Sequence, residues 1–138
     1  MSVDLKEKVK KIVLQRNLCS CMNSTKWNEL RNAMLNEMPF PPPFSIKYLD
    51  TEYSEEAELP HDVYYRGDWY YALSIDGQYF DASFAIEWMK IRPRYLKHRG
   101  MFIAPEIIDA EDIFVEILKK YSIPYEESNG IYCIYGYR

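Results

Sequence analysis

The stretch that decides the fold is HDVYYRGDWYYALSIDGQYFDASFAIEWMKIRP, residues His61 to Pro93. Two aromatic-rich apolar runs flank Asp76-Gly77, and an Asp-Gly pair between such runs is the strongest short-range signal for a β-hairpin. With a period of two, Trp69, Tyr71, Leu73 and Ile75 fall on one face of a first arm, and Tyr70, Ala72 and Ser74 on the other. On the second arm Phe80, Ala82, Phe84, Ile86 and Trp88 share a face. A ribbon of two strands cannot bury its apolar face alone, so the flanking segments are expected to cover it with helices.

Upstream, Leu5, Val9, Ile12 and Val13 recur at helical spacing with lysines between them, which predicts an amphipathic helix from Asp4 to about Arg16. Asn17 to Ser24 is a polar connection. Ser24 or Thr25 is expected to cap a second helix, whose stripe is Trp27, Leu30, Met34 and Met38 with Leu35 beside it. Pro39 ends that helix, because the residue before a proline avoids the helical region. The run from Pro39 to Phe44 is extended, and its two phenylalanines can anchor it on the protein's own core. Ser45 to Leu49 reads as a short strand.

Downstream, Asp109 opens a third helix with the stripe Ile113, Phe114, Ile117, Leu118 and Tyr121, and Lys119 and Lys120 suit its C-terminal dipole. Ile123 to Glu127 and Ile131 to Tyr137 then flank Asn129-Gly130, a second hairpin signal. The expected fold is α+β: a mainly antiparallel sheet built on the central Asp-Gly hairpin and covered by about three helices. Whether the C-terminal hairpin joins the central sheet is open at this level. At 138 residues the chain reads as a single domain, 1–138, with residues 1–24 an addition to its core.

A hydrophobic fraction of 48% and an aromatic fraction of 16% exclude a disordered chain. The net charge of −4 argues against general affinity for nucleic acid or anionic membrane. No apolar run approaches the ~18 residues that span a bilayer, and the charged N-terminus lacks a signal-peptide core. Three cysteines, two of them in Cys19-Ser20-Cys21, suggest free thiols in a reducing compartment, so a cytoplasmic location is expected.

Catalytic chemistry has little to start from. The two histidines, His61 and His98, sit in polar surroundings, and neither a Gly-rich phosphate loop nor a nucleophile elbow is present. Cys19 and Cys21 have neither the spacing of paired zinc ligands nor that of a redox motif. Asp81 and Glu87 share a face of the second arm, where solvent-facing strand residues are the ordinary reading. No catalytic residue, metal ligand or cofactor is expected.

Three short motifs remain: Thr25-Lys26-Trp27-Asn28-Glu29-Leu30, Ile86-Glu87-Trp88 and Ile134-Tyr135-Gly136-Tyr137. Together they resemble a family of small bacterial proteins of unknown function in which a Lys-Trp-Asn-x-Leu helix, an Ile-Glu-Trp strand and an Ile-x-Gly-Tyr terminus recur in this order. The resemblance spans Thr25 to Tyr137 and implies a fold, with no catalytic residues to carry over. In general character the chain is also similar to immunity proteins of bacterial toxin systems, which act by electrostatically steered binding, often to a basic nuclease.

On this reading the function is non-enzymatic protein binding, as a toxin immunity or regulatory partner. Glu52, Glu55, Glu56, Glu58, Asp62 and Asp68 supply an acidic field, and Tyr64, Tyr65, Trp69 and Tyr70 are the aromatic anchors. An alternative is a small-ligand or enzyme pocket between helices and sheet, lined by Trp27 and Trp88. A second alternative is nucleic-acid binding through Arg92, Arg94, Lys97 and Arg99 in the basic segment 92–99. The expected oligomeric state is a monomer or weak homodimer.

Overall fold

The second half of the aromatic stretch supplies the strand on which the fold is built. The computed structural model describes the backbone of residues 2–74 and 81–138, and side chains from residue 4 onward. Helices α1 (Ser2–Gln15) and α2 (Ser24–Asn36) come first, followed by strands β1 (Phe44–Tyr48) and β2 (Ile86–Ile91). A small hairpin of β3 (Arg94–Lys97) and β4 (Glu106–Asp109) leads into α3 (Glu111–Lys120), and β5 (Glu126–Ser128) and β6 (Ile131–Tyr135) end the chain. All pairings are antiparallel: a four-stranded sheet in the order β1-β2-β6-β5, and a two-stranded sheet β3-β4. The fold class is therefore α+β, and the C-terminal hairpin does join the main sheet.

Register assigns the faces. Phe44, Ile91 and Tyr132 align across the sheet, as do Ile46, Met89 and Ile134, and these rows pack on the core. Trp27, Leu30, Ala33 and Met34 of α2 cover them, with Phe114, Ile117 and Leu118 of α3. The opposite face carries the rows Lys47, Trp88, Tyr135 and Ser45, Lys90, Cys133. Helix α1 packs in a smaller cluster of Val9, Leu49 and Ala85 with Ile12, Val13 and Tyr137.

Lys47 pairs with Trp88 but Tyr48 with Ile86, so Glu87 is an extra residue in β2. This bulge turns Ile86 into the core and frees the Glu87 carbonyl, which accepts the N–H groups of Gly136 at 2.8 Å and Tyr137 at 3.1 Å. At the other end, Asn129 and Gly130 both have positive φ, 53° and 77°, the geometry that a two-residue hairpin turn demands.

The central hairpin differs from expectation. Asp76-Gly77 lies outside the described residues, and the described part of the first arm is not a strand. Backbone bonds from Ala72 to Trp69 and from Ser74 to Tyr71 coil it into turns, although Ala82 N–H still reaches Leu73 C=O at 2.8 Å. The second arm starts with a 3-10 turn, Ser83–Ala85, so its strand begins only at Ile86. Trp69 anchors the coiled segment. Its ring is buried against Phe44 with centroids 4.5 Å apart, and its indole N–H donates to Pro42 C=O at 2.8 Å. That bond and the ring contact fix the start of the coiled segment on the core.

Caps also shift. Asn23, not Ser24 or Thr25, accepts the Lys26 N–H at 2.8 Å and starts α2. Asp109 is the last residue of β4, and its carboxylate accepts Glu111 N–H at 2.8 Å, one step ahead of α3. The proline run is anchored as expected: Pro42 and Pro43 are fully buried, and Phe40 packs edge-on to Tyr95.

Candidate partner-binding surface

Residues 50–70 cross the molecule with few apolar side chains, so polar bonds must hold them. Leu59 is the one buried large aliphatic residue of the loop, and its carbonyl accepts the Arg92 Nε at 2.8 Å. Arg92 is itself buried, 3.6 Å from Asp62, and reaches Asn129 C=O as well. Burial pushes its guanidinium pKa down and Asp62 opposes that shift. Arg94 donates to Asp62 at 2.8 Å and lies 3.9 Å from Glu111. Glu58 pairs with Lys90 and accepts the Tyr53 hydroxyl at 2.8 Å; the lysine hydrogen bond holds its carboxyl below the usual range. Ser45 donates its hydroxyl to Ala57 C=O. These bonds fasten the loop to the sheet.

The six expected carboxylates therefore divide. Glu58 and Asp62 are structural, whereas Glu52, Glu55, Glu56 and Asp68 are exposed and form no ion pair among the described residues. The four expected anchors divide too. Tyr64, Tyr65 and Tyr70 are 59%, 57% and 58% exposed, but Trp69 is a core residue and presents nothing to a partner. Tyr70 is framed by Tyr71, edge-on at 4.7 Å, and by the Arg31 guanidinium, 5.5 Å from its ring centre. Arg31 also donates two N–H groups to the Tyr70 carbonyl, which fixes the turn that displays the ring.

The basic segment divides in the same way. Arg92 and Arg94 are the internal ties described above, and Lys97 and Arg99 are exposed. Beyond them sequence reasoning missed the most exposed apolar group of the molecule. At the tip of the β3–β4 hairpin, Met101 is 78% exposed, Phe102 fully and Ile103 55%. The signal was available: three large apolar residues and an alanine between Gly100 and Pro105, too short and too enclosed by chain breakers to form an element.

Trp27 and Trp88 do not share a pocket. Trp27 packs in the core layer under α2, whereas Trp88 lies on the other side of the sheet with Lys90 Nζ 4.9 Å from its ring centre. Trp27 does border a groove of about 280 Å³, which shares Ser24, Ser83, Phe84 and Tyr137 with a larger one of about 450 Å³ beside α1. Asp81 and Glu87 are both engaged elsewhere. Asp81 accepts Ser83 N–H at 2.8 Å, and Glu87 receives Arg16 through two bonds and Lys47 through one, all 2.9 Å. Among the described residues no three His, Cys, Asp or Glu side chains cluster as metal ligands would. The cysteines are free thiols, Cys19 and Cys21 exposed and Cys133 buried.

The three short motifs converge on one place. Gly136 passes so close to β2 that a Cβ would lie 2.1 Å from the Ile86 carbonyl oxygen and 3.4 Å from the Trp27 ring. Lys26 donates to the Tyr121 carbonyl at the end of α3, Asn28 bonds back to Ser24 C=O, and the Tyr137 hydroxyl donates to Phe84 C=O. Lys26, Trp27, Asn28, Gly136 and Tyr137 thus each have a structural task here. A family of unknown function, DUF6678, matches residues 9–138. No curated protein and no solved structure matches the chain significantly. Among the described residues no helix is long and apolar enough to cross a membrane.

Proposed function

The chain belongs to this family of unknown function, and within it we propose a non-enzymatic protein-binding module, a cytoplasmic immunity or regulatory protein that engages a basic partner. One observation carries the reading: the unpaired carboxylates of Glu52, Glu55, Glu56 and Asp68 accompany the exposed rings of Tyr64, Tyr65 and Tyr70 on residues 52–70. Unpaired surface charge steers encounter, and tyrosines supply contact area at low entropic cost.

The test is capture from native cells with wild type and with a Tyr64→Ala, Tyr65→Ala variant. A stoichiometric basic partner held by the wild type and lost by the variant supports the reading; equal recovery by both ends it. Once the partner is in hand, Glu55→Lys with Glu56→Lys should slow association about tenfold at low ionic strength. A second reading, small-ligand binding, is favoured by the groove beside Trp27 and α1. Nucleic-acid binding keeps Lys97 and Arg99 as its free cations, too few for the steep salt dependence of a phosphate-tracking protein.

A further inference from the structure

The β3–β4 hairpin presents a second surface of opposite character. Phe102 at its tip is fully exposed, Met101 and Ile103 flank it, and Ile107 on β4 is 52% exposed. Apolar groups left together in water mark interaction sites. The tip is also built in one conformation: Phe102 has a left-handed φ of 65°, Ile103 N–H turns back to Gly100 C=O at 3.4 Å, and Arg99 Nε donates to Ala104 C=O at 2.9 Å. Beside the apolar side chains stand Lys97, His98 and Arg99, all exposed and without an ion pair among the described residues.

Local chain path brings the aromatic surface to the same side. Asp62 contacts Arg94, Val63 C=O accepts Leu96 N–H at 2.7 Å, and Arg66 returns to lie over the Tyr95 ring. Tyr64 and Tyr65 therefore lie between two contacts with β3, Val63 at Leu96 and Arg66 at Tyr95. The strand pair that ends in the basic apolar finger thus also holds the exposed tyrosines, and the acidic residues precede those tyrosines in the same loop.

We propose that this side is a self-association face, on which the hairpin tip of one copy docks against Tyr64, Tyr65 and the Glu55 and Glu56 carboxylates of a second copy, reciprocally about a twofold axis. The proposal rests on reading the tyrosine face as a protein-binding surface, and names a second copy as an occupant of it. The charges are complementary within one sequence, which makes the chain its own partner of the right chemistry. A surface holding both halves side by side closes on itself in a twofold pair and leaves nothing to propagate. Phe102 with the half-exposed Tyr64 and Tyr65 offers roughly 400 Å² of aromatic surface. Met101, Ile103 and Ile107 extend it toward the ~800 Å² per partner of a stable interface.

Sedimentation equilibrium of the full chain at low salt tests this. The wild type should show a concentration-dependent dimer. Phe102→Ser should raise its dissociation constant at least about tenfold, the loss of one hot-spot side chain. Lys97→Glu with Arg99→Glu, and separately Glu55→Lys with Glu56→Lys, should each be monomeric, while their equimolar mixture pairs again because one contact is restored with reversed sign and the other keeps its native sign. All these residues are exposed, and an unchanged urea midpoint confirms that each variant folds. A wild type monomeric at about 1 mM overturns the inference, and so does a mixture that fails to pair. Phe102-dependent binding to anionic vesicles or to a random oligonucleotide by a monomeric wild type overturns it as well, and assigns the tip to that ligand. Absent self-association with a partner still captured through Tyr64 and Tyr65 removes only this inference. A dimer with no other partner removes only the immunity or regulatory reading.

Discussion

Gly136→Ala should be among the most damaging single-methyl changes in this chain. The added carbon would sit 2.1 Å from the Ile86 carbonyl oxygen and 3.1 Å from its carbonyl carbon, both backbone atoms that cannot swing aside. Relief requires the end of β6 to withdraw from β2. That withdrawal strains the bonds that Gly136 and Tyr137 make to Glu87 C=O and the bond from Cys21 N–H to Gly136 C=O. Overpacking costs about 1–3 kcal/mol and each weakened hydrogen bond about 1 kcal/mol. A total near 3 kcal/mol is a large part of the ~5–15 kcal/mol that holds a domain folded. With a urea slope of about 2 kcal/mol per molar, the unfolding midpoint should fall by roughly 1.5 M. The slope itself should stay constant, since the native surface is little changed. A midpoint shift below about 0.3 M would refute the account, because it would mean that the strand end yields freely and that the three motifs do not lock one another.

Three further outcomes separate structural from surface residues. Arg92→Met should cost about 2–4 kcal/mol by urea unfolding, since it leaves Leu59 C=O and part of Asp62 without their buried donor, whereas Lys97→Ala and Arg99→Ala should stay within about 0.5 kcal/mol. Trp69→Ala should cost about 3–5 kcal/mol and Tyr65→Ala less than about 0.5 kcal/mol, which checks that only the second belongs to the surface. Glu87→Gln should cost about 1–2 kcal/mol at neutral pH through weakened bonds to Arg16 and Lys47. The Arg16 bond, then Lys47, lowers the Glu87 pKa against the opposing effect of burial, so this stabilisation is complete above the unfolded value of ~4.3 and is lost as pH falls through the lower folded one. Unfolding curves of wild type and variant should thus converge in acid, and a constant gap down to about pH 2 would contradict the assignment.

Elements with a local cause were legible. The α2 stripe of Trp27, Leu30 and Met34, the α3 stripe of Phe114, Ile117 and Leu118, and the Asn129-Gly130 turn each follow from spacing or from a turn that needs positive φ. The conformation of the first arm, residues 69–74, was not legible, because a period of two in aromatic residues does not say where their polar atoms must go. Trp69 needs an acceptor for its buried indole N–H, and Pro42, far away in sequence, supplies it. β2 then pairs with β1 and β6 instead of with the segment before it. The β3–β4 hairpin left a usable signal. Arg94 faces Asp109 and Lys97 faces Glu106 across the strands, opposite charges bracketing Tyr95-Leu96 and Ile107-Ile108. Read as a basic segment alone, 92–99 concealed that pairing.

The candidate surface was half legible for a related reason. Sequence counts charges but not their partners. Glu58 and Asp62 lie within ten residues of Glu52, Glu55 and Glu56, and nothing local distinguishes them. The difference is tertiary: Lys90 on β2 and Arg92 and Arg94 just beyond it stand where the loop crosses the sheet, so the carboxylates at that crossing are taken into ion pairs. Glu52, Glu55 and Glu56 find no cation among the described residues. The same rule sorts the cations, with Arg92 and Arg94 at the crossing and Lys97 and Arg99 at the hairpin's far end. Charges that meet an opposite charge at this crossing hold the fold, and exposed charges that form no ion pair among the described residues remain for a partner. This sorting makes opposite predictions for substitution: changes at the first set should lower stability, and changes at the second should alter association alone. A charge reversal at Glu55 and Glu56 that destabilised the protein as much as Arg92→Met would break the distinction, and the proposed surface with it.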